Sequence, residues 1–397
     1  MLTLVDDDRF QASAIRDLLH HARRADVVSL AGGLPAADAL PVERLRRAAD
    51  RVLTTDGVTA AQYGLTEGEP VLRELVADEL GRHPDEVVVT SGSQQALDLL
   101  VAVCCRPGDL VAVEDPCYLG ALQVLRARQV RPVGIPVDGD GLDVDRLEHL
   151  LDGGLRPRLL YCNPNFQNPT GVSLSPERAL RLAELGQRYG FVVAADDPYR
   201  QLWLDARPVD LPAEPSVALL RSASKVIAPG LRVGWLVAEP ELARRVAVAK
   251  QPADLQASTL SQLLVAEVLA DRAWWHDHLA GLRHRYRARR DALLAELERV
   301  GCRPPIRPAG GFFCWLPAAL DPEAGLPVAL DAGVAYVPDA QFRVPDPDRR
   351  DGPTGRWAGD GQALRLSYSS ADPATFGPAV DRLVAVGLLA PQATPRS

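Results

Sequence analysis

Short apolar runs recur along the first two thirds of the chain, each bounded by polar or turn residues: EVVVTSG (86–92), DLVAVED (109–115), RLLYCNP (158–164), FVVAADD (191–197), ALLRSAS (218–224) and VGWLVA (233–238). The stretches between them carry helical patterns. Such runs read as strands, and strands separated by helices need crossover connections, so the pattern predicts a mostly parallel sheet covered on both faces. In sheets of this kind ligands bind at the carboxyl ends of the strands. Several runs end there in residues that can do chemistry: Ser91 to Gln94, Asn163, Asp196 with Asp197, and Ser222 to Lys225.

Downstream the pattern changes. Residues from roughly 240 to 300 read as a long helical stretch, and the Arg-rich run HRYRARR (284–290) within it reads as a solvated face. Three strand-like segments follow, PAGGFFCWLP (308–317), GVAYVPD (333–339) and ALRLSYS (363–369), which predict a separate, smaller α+β domain. The segment 345–362, rich in Pro, Gly and charge, reads as a surface loop.

Composition narrows the class. At 397 residues the chain suits one large domain with a smaller companion. Hydrophobic content of 47% with 24% charged residues is that of a soluble globular protein. The net charge of -8, without a Lys/Arg-rich block, argues against a nucleic-acid partner. No stretch approaches the ~20 apolar residues that span a bilayer, and the start MLTLVDDDRF is acidic where a secretory signal is basic, which predicts a cytoplasmic protein with no membrane partner. The six cysteines lack CxxC spacing, so neither zinc nor disulfides are expected, and the adjacent Cys104 and Cys105 read as buried small hydrophobes. His276-Asp277-His278 has no obvious third ligand, and no metal is predicted.

The strand ends match the needs of a cofactor with a phosphate, a protonatable ring and an aldehyde. A phosphate needs a helix N-terminus and a cation. Thr90 to Ala96, where a strand run gives way to a helix, supplies the first, and Ser222, Ser224 and Arg232 supply the rest. The aldehyde needs a nucleophilic amine in a partly desolvated site, and Lys225 stands near Arg232 in a chain where lysine is scarce. A ring nitrogen that must stay protonated needs a carboxylate, and Asp196 ends its run. Tyr199 and Asn168 are candidates for a phenolic oxygen. Taken singly, Ser93 reads equally well as a helix cap and Asn168-Pro169-Thr170-Gly171 as a turn. Order adds weight: 28 residues separate Asn168 from Asp196 and 29 separate Asp196 from Lys225, each about one strand-helix-strand step, which puts all three on one sheet edge.

The motifs SGSQQALDLL, DPCYLGAL, NPNFQNPTG, DDPYRQL, SASKVIAPGLRVGW and ALRLSYS, in this order over nearly the full length, resemble the fold-type I pyridoxal-phosphate enzymes of aminotransferase classes I and II. QASAIRDLL (11–19), VVSLAGGLP (27–35), AQYGLTEGEPVLR (61–73) and AKQPADLQASTLSQ (249–262) are similar to the 2-aminoadipate and kynurenine aminotransferase II branch. The resemblance implies a large domain over 41–280 with a seven-stranded, mostly parallel sheet, a small α+β domain over 281–397, and an arm and helix over 1–40 joining the small domain. It implies pyridoxal phosphate as cofactor. Lys225 is then its covalent anchor and the base, Asp196 the partner of the ring nitrogen, and Asn168 and Tyr199 those of the ring oxygen. Ser93, Gln94, Ser222, Ser224 and Arg232 hold the phosphate, Tyr118 stacks on the ring, and Tyr63 reaches the phosphate of a second subunit in a homodimer. Arg365 grips the substrate α-carboxylate, with Asn168, Gly33 and Arg16 also at the substrate and Arg16 toward a distal carboxylate. The implied reaction moves an amino group from an L-amino acid to a 2-oxo acid, with 2-oxoglutarate the expected acceptor; a lyase, cyclase, decarboxylase or oxidase on the same cofactor is the alternative.

Overall fold

A computed structural model of the protein describes residues 26–208, 210–344 and 362–391. Its first nine strands are β1 (Val28–Ser29), β2 (Val87–Thr90), β3 (Leu110–Asp115), β4 (Arg131–Asp138), β5 (Gly141–Leu142), β6 (Leu159–Cys162), β7 (Val192–Asp196), β8 (Val217–Ser222) and β9 (Gly234–Val237). All but β1 join one sheet in the order β2-β9-β8-β7-β6-β3-β4-β5. The neighbours from β4 through β3, β6 and β7 to β8 are parallel, while β9 runs antiparallel between β8 and β2. Seven strands were expected; the eighth is the two-residue β5, turned back against the end of β4.

The β4 strand left no clear apolar run because prolines interrupt it. Arg131 N donates to Asp109 O at 2.8 Å, so residues alternating from it turn their N–H groups toward β3. Pro132 and Pro136 fall at the other positions, where the missing N–H faces away from β3. Proline is tolerated on that side of an outer strand.

Helices seal both faces. Ser93–Cys104, Leu119–Ala127 and Pro240–Asp254 pack with Val111, Val113 and Ala194, whereas Val144–Asp152 and Pro176–Tyr189 pack with Ala112, Leu160 and Val193. Successive residues of one strand therefore enter opposite cores, which is why these strands are apolar without alternation. Each large aliphatic side chain so buried contributes roughly 1.5–3 kcal/mol.

The stretch expected as one long helical run is three helices, Pro240–Asp254, Thr259–Ala270 and Arg272–Arg299. Each restart has its own cap: Ser258 accepts from Ser261 N and Asp271 from Trp274 N. The run 284–290 is not a solvated face. Arg290 is only 1% exposed, forks onto both oxygens of Asp205 and also donates to Pro308 O, while Arg287 binds Leu204 O and Arg289 binds Ala371 O. A guanidinium can be buried when its donors are matched in this way, so these arginines tie the long helix to the loops at 204–205, 308 and 371. Cys104 and Cys105 are half-buried rather than buried.

The remaining strands are β10 (Phe313–Pro317), β11 (Val334–Ala335), β12 (Val337–Pro338) and β13 (Ala363–Ser367). They form an antiparallel sheet β10-β13-β12, and β11 pairs in parallel with β1. Ser367 N donates to Leu30 O, which draws residues 30–33 across β13 toward the carboxyl edge of the large sheet.

Candidate active site

Nineteen described residues line a cavity of about 280 Å³ at that edge. Lys225, Asp196, Tyr199, Ser93, Gln94, Tyr118, Asn168, Ser222, Ser224, Arg232, Gly33 and Arg365 are all among them. Tyr63 is not: it is 79% exposed on the surface. Arg16 lies outside the described residues.

One end of the cavity is built from a close crossing of backbone. β2 ends at Thr90, and Gly92, at φ 91°, starts the helix Ser93–Cys104 without a side-chain cap. A Cβ on Gly92 would lie 2.6 Å from Arg232 Nη2, and one on Gly234 would lie 2.7 Å from Ser93 N, so both positions need glycine for the guanidinium and β9 to approach the helix start. Arg232 Nη2 donates to Ser91 O at 2.9 Å, and the Ser222 and Ser224 hydroxyls bond each other at 2.8 Å. Uncapped N–H groups, two hydroxyls and a guanidinium make an anion cradle.

Lys225 follows β8 in a single 3₁₀ turn, and its Nζ donates to Gly33 O at 3.0 Å. Burial lowers its pKa to about 8, with Arg365 and Arg232 acting in the same direction and Asp196 against it. The chain has one other lysine, Lys250, which is wholly buried and paired with Asp254 at 2.7 Å, outside the cavity.

Strand alternation decides between two neighbouring aspartates. Asp196, the last residue of β7, accepts from Tyr161 Oη at 2.9 Å through Oδ2, and its buried Oδ1 has no hydrogen-bond partner among the described residues. Asp197 points to the other face, where Asn165 and Arg221 meet it. Burial raises Asp196 to about 7, assisted by Asp197 and opposed by the Tyr161 bond and Lys225.

Arg365, in the middle of β13, is buried. It donates to Asn168 Oδ1 at 2.7 Å and Ala31 O at 2.5 Å, stacks over Phe313 at 4.1 Å and Phe342 at 5.0 Å, and keeps a buried Nε without a partner. Burial pulls it down to about 10. Tyr199 packs edge-on to Phe312 and Phe313, and burial pushes its phenol up. Tyr118, raised to about 12 by burial, places its hydroxyl 3.4 Å from Gln94 Oε1. A Cβ on Gly33 would lie 2.6 Å from the Phe313 ring.

Phe313 and Tyr161 had no role assigned from the sequence. Phe313 lies inside an apolar run that reads simply as strand. Tyr161 is hidden the same way in RLLYCNP, where only the polar ending at Asn163 attracts notice.

A parallel sheet with an anion cradle, a depressed lysine and an unpartnered carboxylate oxygen at its carboxyl edge defines a fold-type I pyridoxal-phosphate enzyme, and the residues present fit that cofactor. The profile described as aminotransferase class I and II matches residues 25–383, and the chain belongs to this family. It is 40% identical to the 2-aminoadipate transaminase of Thermus thermophilus over 94% of each chain, and 39% identical to aromatic-amino-acid aminotransferase 1 of Thermococcus litoralis over 84% of each. The crystal structure of LysN, the α-aminoadipate aminotransferase of Thermus thermophilus, complexed with N-(5'-phosphopyridoxyl)-L-leucine, superposes with a TM-score of 0.85 at 39% identity over 95% of each chain. The protein is a pyridoxal-phosphate-dependent aminotransferase of the branch expected from its motifs. No helix among the described residues is long and apolar enough to cross a membrane.

Proposed function

We propose that this aminotransferase is a cytoplasmic homodimer that moves the amino group of an L-amino acid with a 2-aminoadipate-like, aromatic or aliphatic side chain to a 2-oxo acid, with 2-oxoglutarate as acceptor. The observation that carries the reading is the Arg365 guanidinium, fixed by Asn168, Ala31 and two aromatic rings, with its Nε unspent. A rigid planar cation on the same cavity as the lysine suits a carboxylate held by two bonds.

Pyridoxal phosphate, when bound, supplies an aldehyde for the amino group and a ring that draws electrons from the α-carbon. Lys225, with a pKa of about 8, gives up and recovers a proton close to neutral pH, which suits it to anchor the cofactor and serve as the base. In this reading Asp196 faces the ring nitrogen, and Asn168 and Tyr199 bond the ring oxygen. Ser93, Gln94, Ser222, Ser224 and Arg232 hold the phosphate, and Tyr118 stacks on the ring. Gly33 leaves room for the substrate, and Arg16 meets a distal carboxylate.

The substrate range rests on the relatives, one named for 2-aminoadipate and one for aromatic amino acids. The dimer is supported by an exposed apolar patch. Tyr63 and Leu65 are 79% and 51% exposed, and Leu255, 47% exposed with φ 63°, belongs to the segment whose Gln256 bonds Gly64 N. A strained, exposed leucine beside an exposed tyrosine suits a surface covered by a second copy that draws Tyr63 to its phosphate.

Purified protein loaded with the cofactor is given L-2-aminoadipate, aromatic amino acids or L-leucine with 2-oxoglutarate. The expected result is glutamate and the matching 2-oxo acid in equal amounts; no glutamate from any donor overturns the reading. Sedimentation reads the assembly directly, and a monomer at micromolar concentration contradicts the dimer.

A further inference from the structure

Behind Asp196 lies a buried hydrogen-bond chain. Tyr161 Oη donates to Asp196 Oδ2 at 2.9 Å and receives Asn163 Nδ2 at 3.1 Å. Asn163 Nδ2 gives its other hydrogen to the Asp196 carbonyl oxygen at 2.8 Å. The Asn163 N–H donates to Glu114 Oε2 at 2.9 Å, and that oxygen also meets Gln167 Nε2 at 3.2 Å. Tyr161 is wholly buried, and Asn163 is 3% exposed with its Oδ1 unpartnered beside the cavity.

The inventory of donors fixes the direction of this chain. A carboxamide nitrogen only donates, so the phenol oxygen facing it must accept, and the single phenol hydrogen is left for Asp196. Turning the Asn163 amide over would set its oxygen against the Asp196 carbonyl oxygen, acceptor against acceptor. The main chain of β7 thus locks the amide, the amide orients the phenol, and the phenol holds one carboxylate oxygen. The other oxygen of Asp196 is the unpartnered one.

We propose that Tyr161 and Asn163 are positioning residues that hold Asp196 as an oriented carboxylate for the ring nitrogen of the cofactor. The inference rests on the assignment of Asp196 to that nitrogen. Asp197 beside it, Lys225 and Ser93 at the cavity, and Glu114, Cys117, Tyr118, Cys162 and Tyr199 on the packed elements are the groups that face Asp196. Burial raises Glu114 to about 8, so near neutral pH it is mostly protonated and adds little negative charge against Asp196. Burial acts against the ionised carboxyl, and of the groups that stabilise it the Tyr161 bond is the largest, ahead of Lys225 and Ser93 at the cavity. Without that bond the carboxyl is protonated at higher pH, and a neutral carboxyl does not favour a positively charged ring nitrogen.

The test titrates the binding of pyridoxal phosphate to the cofactor-free protein against pH, together with kcat of the loaded enzyme. For Tyr161→Phe, the acid-side loss of affinity and of kcat should move up by about one pH unit, with kcat near neutral pH lowered roughly 10-fold and the KM for the amino donor unchanged. Asn163→Leu, which frees the phenol to turn, should move the same limb in the same direction by less, and it carries the test if Tyr161→Phe does not fold. Asp196→Asn serves as the reference and should inactivate the enzyme. An unmoved acid limb in both variants, with Asp196→Asn inactive, overturns the proposal while the role of Asp196 stands; an active Asp196→Asn overturns that role itself.

Discussion

Arg365 Nη1 donates to Asn168 Oδ1 at 2.7 Å, joining the middle of β13 to the loop after β6. The bond settles how the Asn168 amide points: its oxygen is committed to the guanidinium, and its nitrogen is turned elsewhere as a donor. Asn168→Asp keeps the size but removes that donor and neutralises Arg365. We expect kcat/KM to fall roughly 100-fold, with weaker cofactor retention in dialysis. A variant that keeps wild-type retention and rate contradicts this placement.

Arg365→Lys tests the fork itself. Lysine keeps the charge, yet it cannot give two parallel bonds or lie flat between Phe313 and Phe342. The KM for the amino donor should rise roughly 10- to 100-fold, and cofactor binding should stay unchanged. Steady-state kinetics beside equilibrium dialysis separate the two effects.

Gly33 occupies a spot where no side chain fits. An added Cβ would lie 2.6 Å from the ring of Phe313, on which Arg365 rests, and the Gly33 carbonyl also receives Lys225 Nζ. Gly33→Ala should cost about 1–3 kcal/mol of stability and raise the KM for the amino donor, read by urea unfolding and by kinetics. An unchanged KM would show that the ring yields without moving Arg365.

Much of this arrangement was legible in the sequence, and for identifiable reasons. Lys225 and Asp196 are polar residues at the ends of apolar runs, Asn168 lies in the loop that follows such a run, and strand-helix-strand spacing puts all three on one edge. β4 was not legible because Pro132 and Pro136 break its pattern, and they do so on the side that needs no N–H. The burial of Arg290 could not be read either, since its partners Asp205 and Pro308 are distant in sequence and only the fold makes them neighbours. Tyr161 failed for the opposite reason: within a strand a tyrosine is ordinary, and its hydroxyl matters only because β7 sets Asp196 beside it.

Glu114 gives a pH dependence of known sign. Burial lifts its carboxyl from 4.5 to about 8 in the folded protein, against the bonds from Asn163 N and Gln167 Nε2. The folded value lies above the unfolded one, so its contribution to stability is complete below about pH 4.5 and is lost as the pH rises through about 8. In Glu114→Gln the side chain stays neutral throughout. Urea unfolding of the cofactor-free protein should show a shallower decline over that window, by at most about 1.4 kcal/mol per pH unit; parallel curves for the two proteins would contradict the assignment.

The central claim is that Lys225 carries the cofactor, and the chain tests it cleanly because Lys250 is its only other lysine. Loaded protein is reduced with borohydride, digested, and the modified lysine identified by mass spectrometry, with Lys225→Ala treated in parallel. The account predicts the pyridoxyl group on Lys225 alone and none retained in Lys225→Ala. A pyridoxyl group on Lys250, or turnover that survives Lys225→Ala, would contradict it.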